Sequence, residues 1–307
     1  MKKKMVALLT SVVMATSMLV GCGAAEEAPA PAPAEELAAE AEAEEVADEA
    51  AEEAVAEIGA DTQAIIDRGV LKVGVKNAVV GFGFQDTLTE EYSGLEISIA
   101  EKIAEKLGVD IEFTAVTAAT RTELLDSGDI DCVLATFTIT DERKESWDFS
   151  TPYFTDHVTV LVETASGITD LAALKDKTVG VSSGSTSAKS LTQAMIDAGV
   201  IEGADFDPET FDAATWTEGI SYKQYDDYPA ISTALSAGEV DAFCVDKSIL
   251  AIYNTDERNY IDDEFAPQDY GVATKKGSDF SAYVETCVTD WLADGTIAGF
   301  ISENGLD

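Results

Sequence analysis

Apolar and polar positions along the chain alternate between two periods. Residues 71–75 form a short continuous apolar run, the pattern of a buried strand. From 95 to 107 the apolar positions Ile97, Ile99, Ala100, Ile103, Ala104 and Leu107 recur at helical spacing, and Gly108 closes the helix. A strand over 111–116, a short helix over 121–125 ended by Gly128, and a strand over 130–135 follow. The rhythm then starts again, with strands at 158–162 and 178–181, a Gly/Ser turn and a helix over 186–198. Residues 200–219 are acidic and without period, which predicts a surface excursion. Beyond them the pattern predicts a helix over 228–237, a strand over 240–245, a helix over 247–252, a strand over 270–274 and helices over 280–292 and 297–301. Strand and helix alternating at this pace predict α/β architecture with parallel sheets covered by helices. Two such units face each other without a flexible linker, and a cleft beyond their strand ends is a natural small-molecule site.

The first residues have another character. Lys2, Lys3 and Lys4 precede an apolar stretch over 5–20 that is shorter than the roughly 20 residues of a membrane span, as in an export signal. It ends in Leu19-Val20-Gly21-Cys22, which resembles the lipobox of bacterial lipoproteins. That resemblance implies removal of 1–21 and a diacylglycerol on the Cys22 thiol, so that the membrane is reached by a lipid anchor only. Residues 23–58 hold 13 acidic residues and no Lys or Arg, with Pro29, Pro31 and Pro33 near the start. With no apolar stripe to bury, 22–58 reads as a self-repelling tether.

Charge narrows the partners. The whole chain carries a formal −40, and the part after the tether keeps 46 acidic and 16 basic residues. Such a surface argues against nucleic acid and anionic membranes, and it makes each basic residue informative. Cys132, Cys244 and Cys287 show no metal or redox spacing; the first two lie in apolar runs and are expected to be buried thiols. No metal and no cofactor is expected.

Two stretches carry a family resemblance. Thr136-Phe137-Thr138-Ile139-Thr140-Asp141-Glu142-Arg143-Lys144 with Asp148-Phe149-Ser150-Thr151-Pro152-Tyr153, and Val240-Asp241-Ala242-Phe243-Cys244-Val245-Asp246-Lys247-Ser248, resemble the signatures of polar amino-acid-binding proteins of ABC importers, solute-binding family 3. The resemblance covers 62–307. It implies a type II periplasmic-binding-protein-like fold, with two α/β lobes joined by two crossover strands: 59–159 plus 272–307 as the first lobe, 160–271 as the second. It also implies a hinged clamp, a free amino acid as ligand, ABC permease subunits as partners, and a monomer.

The chemistry of the residues agrees. Arg143 offers a rigid fork for an α-carboxylate. Thr138 sits between a strand end and a helix start. Gly184-Ser185-Thr186-Ser187 precedes a helix whose free N–H groups favour an anion, with Thr186 placed to cap it. Asp246, just past a buried strand, suits the α-ammonium, and Thr136 is assigned to the same end. Arg143 as a partner of Glu142 or Asp148, and Asp246 as a helix cap, are the plainer alternatives.

Further segments look closest to aspartate/glutamate receptors: 116–121, 228–231 and 266–271. In those relatives a Lys after the first strand, an Arg before the second helix and a Tyr opening a second-lobe helix hold the distal carboxylate. Lys76, Arg121 and Tyr228 stand in those places. An acidic ligand follows, with glutamine, cystine or another polar amino acid as the alternative. The family's usual Pro-Pro-Phe after the first strand is replaced by Val79-Val80-Gly81-Phe82, leaving Phe82 as a candidate pocket wall. Phe137 and Phe149 read as core.

Enzyme readings fare worse. Gly180-Val181-Ser182-Ser183-Gly184 matches the Gly-x-Ser-x-Gly elbow, but the lone histidine, His157, precedes it instead of following. A cyclohexadienyl dehydratase-like enzyme on the same fold is the better rival; it needs a general acid in the cleft. No catalytic residue is assigned.

Overall fold

The computed structural model describes residues 58–307. The expected signal, Cys22 and most of the tether lie outside the described residues.

Helix α1 (Ala60–Arg68) leads into β1 (Val70–Val75). A three-stranded antiparallel patch follows, made of β2 (Ala78–Val79), β3 (Gly83–Gln85) and β4 (Tyr92–Ser93). These pieces are two or three residues long, too short for alternation to mark them. Helix α2 (Leu95–Leu107) buries the predicted face, and Gly108 ends it at φ 70°, where a side chain would strain the backbone. Then come β5 (Asp110–Ala115), α3 (Thr120–Ser127), β6 (Cys132–Leu134), α4 (Asp141–Ser146) and β7 (Trp147–Phe149).

The long strand β8 (Phe154–Glu163) carries the chain into a second sheet. There follow β9 (Thr178–Ser182), α5 (Ser187–Asp197), β10 (Ser221–Tyr225), α6 (Tyr228–Ser236), β11 (Ala242–Asp246), α7 (Lys247–Leu250), β12 (Arg258–Tyr260) and β13 (Phe265–Tyr270). The chain returns through β14 (Ala273–Lys275) and finishes with α8 (Asp279–Ala293) and α9 (Thr296–Glu303).

The first sheet has the order β5-β1-β6-β14-β7, and the second β10-β9-β11-β8-β12 with β13 paired to β8. The architecture is the expected α/β pair of lobes, but the sheets are mixed where parallel sheets were expected. β14 runs antiparallel to β6 and β7, and β8 antiparallel to β11, β12 and β13.

The expected strand over 270–274 is two strands. Phe265–Tyr270 belongs to the second sheet and Ala273–Lys275 to the first, with Gly271 and Val272 between. An added Cβ at Gly271 would sit 2.8 Å from Ile139 Cδ1 and 3.1 Å from the Ser150 carbonyl oxygen, so the crossing is tight. The expected helix over 247–252 is shorter, because a 3-10 turn takes over at Ala251–Tyr253. Residues 200–219 form turns, as their lack of period suggests. Phe206, Phe211 and Trp216 pack together there, with ring centroids 5.5–5.8 Å apart. Cys132, Cys244 and Cys287 are buried free thiols.

Candidate functional site

The site is organised by four residues that leave β6. Thr136 adopts φ 46°, an uncommon angle for a β-branched residue. Its N–H donates to Glu96 Oε1 at 2.5 Å, and the Tyr153 hydroxyl donates to the same oxygen at 2.6 Å. The carbonyls of this segment receive two guanidinium groups. Arg121, in the first turn of α3, donates from Nη1 to the oxygens of Ala135 (2.8 Å) and Thr136 (3.2 Å). Arg143, inside α4, donates from Nη1 to the oxygen of Thr138 at 2.7 Å. Thr140 caps α4 by accepting from the Arg143 N–H at 3.1 Å, which fixes where that side chain starts.

Phe137 lies beside both cations. Arg121 Cζ is 3.8 Å and Arg143 Cζ 4.7 Å from its ring centroid. Phe137 is buried, as expected of core, and its ring is also the platform on which two cations rest. Lys76, one residue past β1, is buried with Nζ 5.3 Å from the Tyr228 ring centroid. Tyr228 opens α6, whose cap Asp227 accepts from the Ala230 N–H at 2.8 Å.

Asp246 ends β11 and is buried. It accepts from the Tyr270 hydroxyl and makes no capping hydrogen bond to α7, so the plainer cap reading fails. Asp156 lies close by, accepting from Ser248 N–H at 3.1 Å and from the Tyr270 hydroxyl at 3.3 Å.

The electrostatics follow from burial. Burial, with the Arg121 charge second, lowers the Lys76 ammonium to about 7. Burial lowers Arg121 to about 10, and burial with the neighbouring Arg121 lowers Arg143 to about 9. Burial, then Asp156, raises the Asp246 carboxyl to about 7, and burial raises Glu96. Among the described residues Lys76, Arg121 and Arg143 enter no salt bridge, so Glu142 and Asp148, the alternative partners for Arg143, do not pair with it. Glu142 pairs with Lys189 at 3.0 Å and Asp148 with Lys276 at 2.9 Å. Arg121 Nε and Glu96 Oε2 are buried without any hydrogen-bond partner.

Contacts from the second sheet's side close over this layer. Arg143 Nη2 donates to the Gly184 oxygen at 3.1 Å. Gly184 has φ 75°, and an added Cβ there would lie 2.8 Å from the Ala118 oxygen. Lys189 donates to Glu142 Oε2 at 3.0 Å and to the Pro208 oxygen at 3.2 Å. A cavity of about 400 Å³ opens beside Arg143, lined by Phe137, Trp147, Gly184, Thr186 and Gln224. A smaller one, about 40 Å³, adjoins Lys76, Val79 and Tyr228.

Lys76, Arg121, Thr136, Thr138, Arg143, Thr186, Tyr228 and Asp246 thus fall at one junction between the sheets. Phe82 does not join them at either cavity. It is fully buried, edge-on to Phe154 (5.1 Å) and Tyr270 (5.7 Å), and backs the tyrosine. Thr186 sits at the cap position of α5 but makes no capping bond; its hydroxyl donates to Gln268 Oε1 at 2.8 Å. The Thr138 hydroxyl donates to the same oxygen at 2.8 Å. The Thr136 hydroxyl donates to the Ala135 oxygen at 2.9 Å. Sequence reasoning missed Glu96, Asp156, Gln268 and Tyr270. Glu96 left one trace, a carboxylate between Leu95 and Ile97 at the head of an apolar helix face.

Comparison with known proteins bears on this arrangement. The sequence model for bacterial extracellular solute-binding proteins, family 3, matches residues 71–303. The glutamine-binding protein of Geobacillus stearothermophilus is 33% identical over 220 residues, 70% of this chain and 76% of that one. The L-cystine-binding protein TcyJ of Escherichia coli (strain K12) is 30% identical over 75% of this chain and 80% of its own. A solved structure, an ancestral arginine-binding protein bound to arginine, aligns with a TM-score of 0.64 at 30% identity, covering 77% of this chain and 98% of that one.

Proposed function

This chain belongs to the bacterial extracellular solute-binding proteins, family 3, and from that premise we propose that it is the amino-acid receptor of an ABC importer with an acidic amino acid, glutamate or aspartate, as its ligand. Arg143, with Thr138 and Thr186 beside it, takes the α-carboxylate. Asp246 takes the α-ammonium at the end where Thr136 stands. Lys76, Arg121 and Tyr228 take the distal carboxylate. The observation that carries the reading is a set of cations, Lys76 and Arg121 buried and Arg143 half-buried, that make no salt bridge among the described residues, in a chain with a formal charge of −40. Arg121 and Arg143 are held by main-chain carbonyls, which orient a guanidinium without neutralising it. A ligand with two carboxylates supplies the missing charge, and its ammonium gives Asp246 a reason to ionise.

Glutamine is the second reading. A primary amide offers both an acceptor for Arg121 Nε and a donor for Glu96 Oε2, two of the buried atoms that lack a hydrogen-bond partner among the described residues. The glutamine-binding relative points the same way. Isothermal titration with glutamate, aspartate, glutamine, cystine and arginine separates the readings. Micromolar or tighter binding of an acidic amino acid is expected. Tight binding of glutamine with neither acid bound would replace the acidic reading.

The receptor is lipid-anchored through Cys22 on the extracytoplasmic face, delivers its ligand to the permease subunits as a monomer, and performs no catalysis. Cys22→Ser is expected to release the protein from the membrane fraction; continued retention would reject the anchor.

A further inference from the structure

Gln268 lies on β13, the strand by which the chain leaves the second sheet before returning to the first. It is 3% exposed. A register shift between Phe265 and Pro267, with Ala266 at φ 46°, marks a bulge ahead of it. A bulge resets which residues face inward, and here Gln268 and Tyr270 are buried while Pro267 and Asp269 are exposed. The amide nitrogen of Gln268 donates to the oxygens of Ala266 (2.9 Å) and Pro267 (3.3 Å). Turning the amide over would set its oxygen against those two carbonyls, so the bulge fixes which way it points.

The oxygen so aimed accepts two protons, from Thr138 at 2.8 Å and from Thr186 at 2.8 Å. Thr138 follows β6 of the first sheet, and Thr186 leads into α5 on the second. A hydroxyl carries a single proton, so neither threonine has one left for a ligand in this geometry. Thr138 is tied to the same strand again, since Ile139 N–H donates to the Asp269 oxygen at 2.8 Å.

We propose that Gln268 is a positioning residue that couples the two lobes: one amide oxygen on the crossover strand gathers a hydroxyl from each, and so holds the clamp shut around the ligand. The proposal rests on the receptor reading above for what the clamp closes on. Thr138 and Thr186 then act through Gln268, with Arg143 as the carboxylate's own contact. A strut of this kind resists opening, so its loss raises the dissociation rate and leaves the association rate nearly unchanged.

The test is a mutant cycle read by stopped-flow with L-glutamate and, in parallel, L-glutamine. Gln268→Leu is expected to raise the dissociation rate about tenfold, the size of one or two net hydrogen bonds. Thr138→Val and Thr186→Val should each raise it severalfold in the native background and change it less than about twofold in the Gln268→Leu background. Full additivity of the threonine and glutamine losses would overturn the proposal, because the hydroxyls would then act on the ligand directly. An equal fall in association rate would also overturn it, as the sign of a generally damaged cleft. Should neither amino acid bind, the receptor reading for these ligands fails on its own. The strut is then read from the same cycle in urea unfolding, where non-additivity sustains it and additivity sinks it.

Discussion

The two walls of the cleft are built from opposite chemistry. The wall from the first sheet carries Lys76, Arg121 and Arg143, the last two held by the carbonyls of 135, 136 and 138. The wall from the second sheet carries Asp246 and Asp156, both on the Tyr270 hydroxyl, and the Tyr228 ring. On the first wall the guanidinium groups are oriented by carbonyls and make no salt bridge among the described residues, while the buried Glu96 carboxyl acts on Lys76 and Arg121 from close by. On the second, two carboxylates share one phenol; burial raises Asp156, and burial with the neighbouring Asp156 raises Asp246. Elsewhere on the molecule cations find carboxylates, as in Arg258 with Glu163 at 2.9 Å or Lys189 with Glu142 at 3.0 Å. The proposed zwitterionic ligand rests on this division between the two walls.

The largest effect should come from the cationic wall. Arg143→Ala removes the partner of a desolvated carboxylate, which costs roughly 3–5 kcal/mol, or about two to four decades of affinity. Calorimetry reads it, and a loss below tenfold would mean that the two walls do not divide the ligand as described.

A smaller effect appears in stability without ligand. Asp246 is raised to about 7, so it favours folding most at pH below its ordinary 3.8, and that contribution is lost as pH climbs through 7. Lys76 is lowered to about 7, so its contribution is full above its ordinary 10.5 and is lost as pH falls through 7. Asp246 thus strains the cleft above neutral pH and Lys76 below it, and their combined cost is greatest near pH 7. Lys76→Met should raise the urea midpoint at pH 6–7, by on the order of a few kcal/mol in unfolding free energy, and Asp246→Asn should do so at pH 7–8. Both should weaken ligand binding. A destabilised Lys76→Met protein at pH 6 would show the lysine to be paired, against the comparison.

Tyr228→Phe sharpens the contrast at its weakest point. The ring stays beneath Lys76 and the hydroxyl goes, so affinity should fall only about threefold to tenfold, one net hydrogen bond. No change at all would make the tyrosine a packing residue alone.

How far the sequence foretold this depends on the length over which each feature repeats. Helix α2 spans 13 residues, and all six expected positions are buried, with Leu95 and Glu96 buried besides. Strands β2, β3 and β4 do not exceed three residues and left no period to detect. The junction at Gly271 was read as one strand because apolar residues run through it, and only tertiary pairing assigns its two sides to different sheets. Arg143 and Asp246 stand out in the sequence because each lies within a long signature. Gln268 lies within a recognisable segment, 266–271, but nothing local gives it a role, since its partners are 130 and 82 residues away in the chain. Glu96 and Tyr153 meet across 57 residues, and nothing local to either announces the other. Thr186 stands at the expected cap position, but its hydroxyl oxygen accepts no helix N–H and the group is turned toward a distant acceptor.

The place of β14 has a bearing on how the molecule is assembled in time. It lies between β6 and β7, and β7 pairs with no other strand. A chain emerging from its amino end therefore cannot complete its first sheet until residues 273–275 arrive, after the entire second sheet has appeared. Until then Trp147–Phe149 lacks its neighbour and β6 shows a bare edge. Such edges invite pairing with other chains, so a nascent molecule of this protein is most exposed to misassembly at its amino-terminal half, the half made first and finished last.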